Sequence, residues 1–550
     1  MKSSNFSSAE KIWYGSKDQK STLFNERVTL GGAALSQLKL NPDDICQIDA
    51  DDNSIRLNGE IYRGSLKIAL GLKRMGCSSG DVVGFVCRHS HDLTSAIIAA
   101  LSLSTPTNCL DVSFTKHEIK HMFSTTKPKV IFCDDTVTET VKEVINDINS
   151  AAKLVVIGQK VGSLAHIDDL LKDEKDTDFK KVLDFPEGPE ATGQECAAIL
   201  CSSGTTGLSK GVSISHLTLH RLFRGSASVI QMDKMTNRIF AFSSMYWLSG
   251  YLMMFMSIFS GIPRVVTRKP FSPELLISIL EKHKIGYLFT SPAQITQLLN
   301  SALMQKGTLD NVKIFSSGGS LISVDLANRI RSYLRNGMLT VGYGMTEIGI
   351  VSSQEISSTS AQGSVGVLTP GVAAKIVDED GKQLGAGQSG EVCVKTRTEF
   401  IEYYNNPEAT KNIRDSEGWI QTGDIGYFDE KNNLYITGRK KDMFKYSNYQ
   451  ITPAEIEEIL EKHPEVQQAV VVGIPDPVHT DLPAAVVVRK DKSNVTERDL
   501  VTFVERQVAD HKRLRGGVYF IEELPMTPSG KIKQLSVQKF AIQLYNKSKV

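Results

Sequence analysis

The sequence predicts a large α/β N-terminal domain that carries a β-rich subdomain, followed by a small, mobile α+β C-terminal domain. Three observations predict it. At 550 residues the chain exceeds what one core ordinarily serves, so two or more domains are expected. Apolar strand-like runs alternate with helix-like segments through the first half and resume near Ile285, the signature of a mostly parallel sheet covered by helices. Near Gly363, and again near Gly438, that texture changes.

Taken in order, Val82 to Cys87 reads as a buried strand and Asp92 to Ser104 as a helix. Val130-Ile131-Phe132 and Leu154 to Ile157 repeat the strand signal, with a helical stretch from Val137 to Ile148 between them. The alternation resumes at Ile285 to Phe289, Lys313 to Phe315 and Leu339 to Val341. Val372 to Val377 and Glu391 to Lys395 then flank a turn-rich segment from Asp378 to Gly390, which marks a β-rich subdomain over about 363–437. The polar run Gly438-Arg439-Lys440-Lys441-Asp442 is a hinge candidate, dividing a domain over 1–437 from a lid over 443–550. In the lid, Thr452-Pro453-Ala454-Glu455 has the pattern of a helix start, with Thr as N-cap, Pro at N1 and Glu at N3. Strand runs at Ala469 to Val472 and Ala484 to Val488 and a helix near Glu497 to Ala509 complete it.

Composition narrows the function classes. Lys plus Arg is 63 against 62 for Asp plus Glu, a net charge of +1 that gives no support to a nucleic-acid or anionic-membrane surface. None of the eight cysteines forms a Cys-x-x-Cys pair, so neither a metal site nor a disulfide framework is expected, and a reducing compartment is. The N-terminus lacks the apolar core of a signal peptide. The apolar stretch Tyr246 to Ile262 is short for a span and broken by small residues, so it reads as a buried core helix and no transmembrane segment is expected. The tail Ser548-Lys549-Val550 differs from the Ser-Lys-Leu address only at its last residue. Peroxisomal localisation through an import receptor is the expectation, with the cytoplasm as the alternative.

The most informative segment is Ser202-Ser203-Gly204-Thr205-Thr206-Gly207-Leu208-Ser209-Lys210-Gly211, set between two apolar strand-like runs. Its glycines leave N–H groups unshielded, its hydroxyls add donors and Lys210 adds a charge, so the loop can wrap a phosphate. It is not a Walker A loop, which ends in Gly-Lys-Ser/Thr and opens a helix.

This loop resembles the signature of the adenylate-forming superfamily of acyl-CoA synthetases, coumarate–CoA ligases and beetle luciferases, with Ser209 in place of the usual Pro. Further motifs carry the likeness over roughly 200–531, and the type resembled is the insect luciferase-like acyl-CoA synthetase. Tyr343-Gly344-Met345-Thr346-Glu347 matches Tyr-Gly-x-Thr-Glu. The resemblance implies that Tyr343 stacks on adenine, that Thr346 meets the α-phosphate and that Glu347 binds Mg²⁺, which needs few protein oxygens. It further implies that Gly318 and Gly319, in Ser317-Gly318-Gly319, let the purine lie on the backbone. Asp424, in Trp419 to Asp424, and Arg439 would serve the ribose and phosphates. Lys531, in Pro528-Ser529-Gly530-Lys531, would be the catalytic lysine bridging the carboxylate and the α-phosphate. Lys441 matches the family's hinge residue, and Lys445-Tyr446-Ser447-Asn448-Tyr449-Gln450 its pantetheine segment, with Asn448 in place of Gly.

The implied reaction activates a carboxylic acid with ATP and Mg²⁺ to an acyl-adenylate, then transfers the acyl group to coenzyme A. At the acyl end, Trp247 stands where many relatives have His, Leu222 where luciferases have Arg, and Ile350 and Val351 follow Glu347. Apolar walls favour an alkyl chain, hence a medium- or long-chain fatty acid. The alternatives are a luciferase-like adenylating oxygenase and a catalytically weakened relative that only binds ATP or acyl chains.

Overall fold

The structure, a computed structural model, describes residues 5–16, 29–171, 193–202, 209–229, 237–447, 449–526 and 532–548. Its large part is built on two sheets with parallel centres. In the eight-stranded sheet, Val83–Val86, Thr107–Leu110, Val130–Asp134, Lys153–Ile157, Ala165–His166 and Cys196–Ser202 run parallel. Antiparallel Lys210–Ser215 and Glu402–Tyr403 close one edge. In the nine-stranded sheet the parallel centre comprises Ile45–Asp49, Arg264–Val266, Ile239–Ala241, Tyr287–Thr290, Ile314–Gly318 and Met338–Met345. The strand runs expected from sequence are all present, with ends shifted by a few residues.

The helix Leu248–Ser260 explains the membrane-like stretch. Tyr251, Met254, Phe255 and Ile258 join the core around the eight-stranded sheet, while Met253 and Met256 pack with Ile239, Tyr287 and Ile314 of the nine-stranded one. A helix buried between two sheets must be apolar all round. Among the described residues, no helix is long and apolar enough to cross a membrane.

The β-rich part is a six-stranded antiparallel sheet of Asn5–Ser7, Ile12–Tyr14, Ala373–Val377, Gly390–Lys395, Ile420–Phe428 and Leu434–Arg439. Its N-terminal hairpin, in which Trp13 pairs with Ala374, 361 residues on in sequence, was not expected. Fully buried Trp13 holds it there, stacked on Phe428 with ring centroids 4.3 Å apart.

The C-terminal part is a five-stranded sheet in which the long hairpin Val466–Asp476 and Thr480–Arg489 packs against Pro453–Glu461 and Gln534–Ser548, while Glu497–Glu505 lies against the strand Gly517–Phe520. One expectation is corrected here. The helix does begin at Pro453, but the Thr452 side chain makes no capping hydrogen bond, and Glu455 pairs with Lys512 instead of closing a capping box. The lysine offers the Glu455 carboxylate a full charge in place of the Thr452 N–H.

Candidate active site

The phosphate-loop segment joins two antiparallel strands, as its flanks predicted, with Ser202 and Lys210 the last facing pair. Ser203, Gly204, Thr205, Thr206 and Gly207 lie outside the described residues, as do Asn448 and Lys531. Ser209, the departure from Pro, is anchored: its carbonyl lies 3.0 Å from His121 Nε2. The Lys210 ammonium sits 4.8 Å over the ring of Tyr403.

Tyr343, Asp424 and Arg439 come together although 96 residues separate the first from the last. Met338–Met345 pairs antiparallel with Gly349–Ile356, and the register shifts between Tyr343 and Gly344, turning the motif out of the sheet. The Tyr343 hydroxyl donates to Asp424 Oδ2 at 2.7 Å, and Arg439 Nε lies 3.1 Å from Oδ1. Burial, and then the Asp424 charge, hold the Tyr343 phenol well above its ordinary range, so it stays a donor. One carboxylate oxygen therefore already accepts a hydrogen bond from the chain and the other faces the Arg439 charge, which the sequence reading did not foresee. A carboxylate offers about four acceptor sites, so lone pairs remain for hydroxyls of a ribose.

Asp424 is presented by a bulge. Cys393 pairs with Gln421 and Glu391 with Ile425, so Thr422, Gly423 and Asp424 stand opposite Val392 alone. Gly423 has φ +70°, which glycine adopts without strain. Thr422 Oγ1 donates to the Val392 carbonyl at 2.8 Å and accepts the Asp424 N–H at 3.0 Å. Gly318 and Gly319 end the neighbouring strand Ile314–Gly318, and Gly319, with φ +91°, has open space where a Cβ would project. A flat ring can approach the backbone there.

Glu347 lies in the turn after Met345, 4% exposed. Its Oε1 accepts the Tyr403 hydroxyl at 2.7 Å, and its carbonyl accepts the Phe400 N–H at 2.7 Å. Burial raises its pKa, opposed by the Tyr403 hydrogen bond and the Arg439 and Lys210 charges. Thr346 beside it is partly exposed. Tyr403 was missed by the sequence reading: it lies in the short strand Glu402–Tyr403, and only the sheet brings it to Glu347 and Lys210. Among the described residues no cluster of three or more His, Cys, Asp or Glu could hold a metal ion alone. A single buried carboxylate suits an ion that arrives on phosphate oxygens and water.

The apolar residues divide. Leu222 and fully buried Val351 share one core cluster with Tyr343 and Ile348. Leu222 presses on Gly349, filling the place a Cβ there would take. Ile350 stays partly exposed. Trp247 packs in a second cluster, edge-on to Tyr246 at 4.5 Å, and stays partly exposed at the start of Leu248–Ser260. Leu222 and Trp247 are thus not in one cluster. Lys441 and Lys445 are exposed beyond the strand Leu434–Arg439.

A fold of two parallel-centred sheets with a C-terminal α+β unit, carrying the Tyr343–Asp424–Arg439 cluster and, in sequence, a Gly/Ser/Thr segment between two strands, points to the class of adenylate-forming enzymes. The family model described as AMP-binding enzyme matches residues 36–404, and its C-terminal domain model matches 455–531. The chain is 30% identical to a luciferin 4-monooxygenase of Luciola mingrelica over 477 residues, 86% of this chain and 87% of that one. It is likewise 30% identical to 4-coumarate–CoA ligase 3 of Oryza sativa subsp. japonica over 505 residues, 88% of this chain and 87% of the relative. In fold it is similar to ATP-bound MatB from Rhodopseudomonas palustris, with a TM-score of 0.85 at 24% identity, covering 95% of this chain and 100% of that one. The chain belongs to the AMP-binding enzyme family. It is an adenylate-forming ligase that activates a carboxylic acid with ATP.

Proposed function

We propose that this ligase activates a medium- or long-chain fatty acid, or another lipophilic acid, and passes the acyl group to coenzyme A. The observation that carries the acyl class is the apolar packing beside Tyr343, where buried Leu222, Ile348 and Val351 join its ring in one core cluster. Such walls reward an alkyl chain and offer a hydroxylated aromatic acid little.

The chain's own groups divide the work of the first step. The Tyr343–Asp424–Arg439 cluster holds the nucleoside end, and Gly319 leaves room for the base. Lys210 and the loop before it place positive charge and N–H donors at the phosphates. A carboxylate oxygen of the acid attacks the α-phosphorus and pyrophosphate leaves. Two anions meet in this step, so the rate rests on placement and on charge aimed at the transition state. Thr346 would meet the α-phosphate, and Lys531 would bridge it to the incoming carboxylate. Glu347, oriented by Tyr403, would hold Mg²⁺, whose chemistry when bound is neutralisation of phosphate charge.

For the second step, 438–442 would act as a hinge about Lys441, with a lid over 443–550. The lid surface supports a phosphorylated thiol such as coenzyme A. Exposed Tyr449 stacks on His511 at 4.6 Å, and Arg515 lies 4.8 Å over the Tyr446 ring, with Lys445 and Arg513 nearby in sequence. Flat faces beside cations suit a nucleotide with phosphates. The tail Ser548-Lys549-Val550 supports import into peroxisomes, its last two residues lying outside the described ones.

A coupled acyl-CoA assay across C6–C18 fatty acids and aromatic acids tests the proposal. The expected result is highest kcat/KM on a fatty acid. Activation of coumarate far above every fatty acid would overturn the acyl class. Light emission with luciferin would favour the oxygenase instead.

A further inference from the structure

Glu391, in the strand Gly390–Lys395, is a buried carboxylate, 6% exposed, that belongs to no motif read from the sequence but touches two of them. Its two oxygens are divided between two elements. Oε1 accepts the N–H of Gly423, the central residue of the bulge that presents Asp424, at 3.3 Å. Oε2 accepts Lys440 Nζ at 2.8 Å, an ion pair whose lysine side chain is 53% exposed and whose glutamate side chain is 7% exposed. The circle closes through the backbone, because the Lys440 N–H donates to the Gly423 carbonyl at 2.8 Å. Lys440 directly follows Arg439, the other partner of Asp424, and directly precedes Lys441.

We infer that Glu391 and Lys440 form a latch that fixes the Asp424 bulge and couples it to the segment leading into the lid. The inference rests on the reading of Asp424 as the nucleoside-binding carboxylate and of 438–442 as the hinge. Neither latch residue is a catalytic residue; both are positioning residues. Two of the three bonds in this circle run from backbone N–H groups. The third, from Lys440 Nζ, is half in water and is the one that movement at Lys441 disturbs first. Opening it removes the charge that balances Glu391 and loosens the Gly423 N–H that shares the same carboxylate. The position of Asp424 thus depends on where the hinge stands, and a bound nucleotide in turn holds the hinge.

The test compares Lys440→Met, Glu391→Gln and the double variant in acid-dependent ATP–pyrophosphate exchange, each checked by its melting temperature. Glu391→Gln keeps an oxygen for Gly423 and loses the ion pair, as Lys440→Met does. Each single variant should raise KM for ATP roughly 3- to 10-fold with a smaller change in kcat, and the double variant should be no worse than the poorer single. Trypsin provides a second readout at Arg439 and Lys441, which remain in every variant. ATP should protect wild type from cleavage there more than it protects Lys440→Met. Multiplying effects in the double variant, or a Lys440→Met enzyme matching wild type in KM and in protection, would overturn the latch. Asp424→Asn separates the two readings: unchanged KM for ATP in that variant overturns the assignment of Asp424 itself, whereas a raised KM beside an unaffected Lys440→Met overturns the latch alone.

Discussion

Tyr403 carries the most specific expectation at the scale of single residues. Its hydroxyl orients Glu347 and its ring lies under Lys210, so one side chain links two motifs far apart in sequence. Tyr403→Phe keeps the ring and removes a hydrogen bond to a buried carboxylate, worth about 1.5–3 kcal/mol. The expected outcome is a fall of roughly ten- to hundredfold in kcat/KM for ATP in pyrophosphate exchange, measured well below the melting transition, which the lost bond also lowers. The residue scale also shows where sequence reading stopped. Tyr343, Asp424 and Arg439 were legible because each sits in a motif of its own. Tyr403 and Glu391 were not, because an isolated Tyr or Glu in a short strand has no local pattern, and only sheet pairing gives it partners. Thr452 misled in the opposite sense: its pattern promised a side-chain cap that the tertiary structure does not use.

Individual elements yield two expectations. The helix Leu248–Ser260 is wedged between two cores, with Phe255 fully buried and stacked on Phe223 at 5.2 Å. Phe255→Ala should cost about 3–5 kcal/mol, read as a shifted midpoint in urea unfolding. In Pro453–Glu461, Glu457 accepts the Val471 N–H at 2.8 Å, and burial pushes its pKa from 4.5 up to about 8. A carboxyl with a raised folded value binds its proton more tightly folded than unfolded. Its contribution is therefore complete below about pH 4.5 and lost as pH rises through about 8. Melting temperature of the C-terminal unit should fall over that window, and Glu457→Gln should flatten the fall; an identical slope in the variant would assign it elsewhere. Element identities were largely legible, since period and apolar runs are local. The N-terminal hairpin was not, because strands of three residues leave too short a signal, and Trp13 finds its stack only in the folded sheet.

For the whole molecule, the division into an α/β body, a β-rich sheet and a C-terminal α+β unit follows from the order of elements along the chain. What order could not supply was which sheet each short strand joins: Val367–Leu368 goes to the nine-stranded sheet and Glu402–Tyr403 to the eight-stranded one, although both fall within 363–437. These two strands tie the β-rich segment to both parallel sheets and bring Tyr403 to Glu347. We propose that this assembly makes an acyl-adenylate with Lys531 as the group that bridges the reacting anions. ATP–pyrophosphate exchange in wild type and Lys531→Ala, across a panel of carboxylic acids, measures that step without requiring coenzyme A. Exchange should depend on a lipophilic acid and be lost in Lys531→Ala. Absence of exchange with every acid, or equal exchange in the variant, would contradict it.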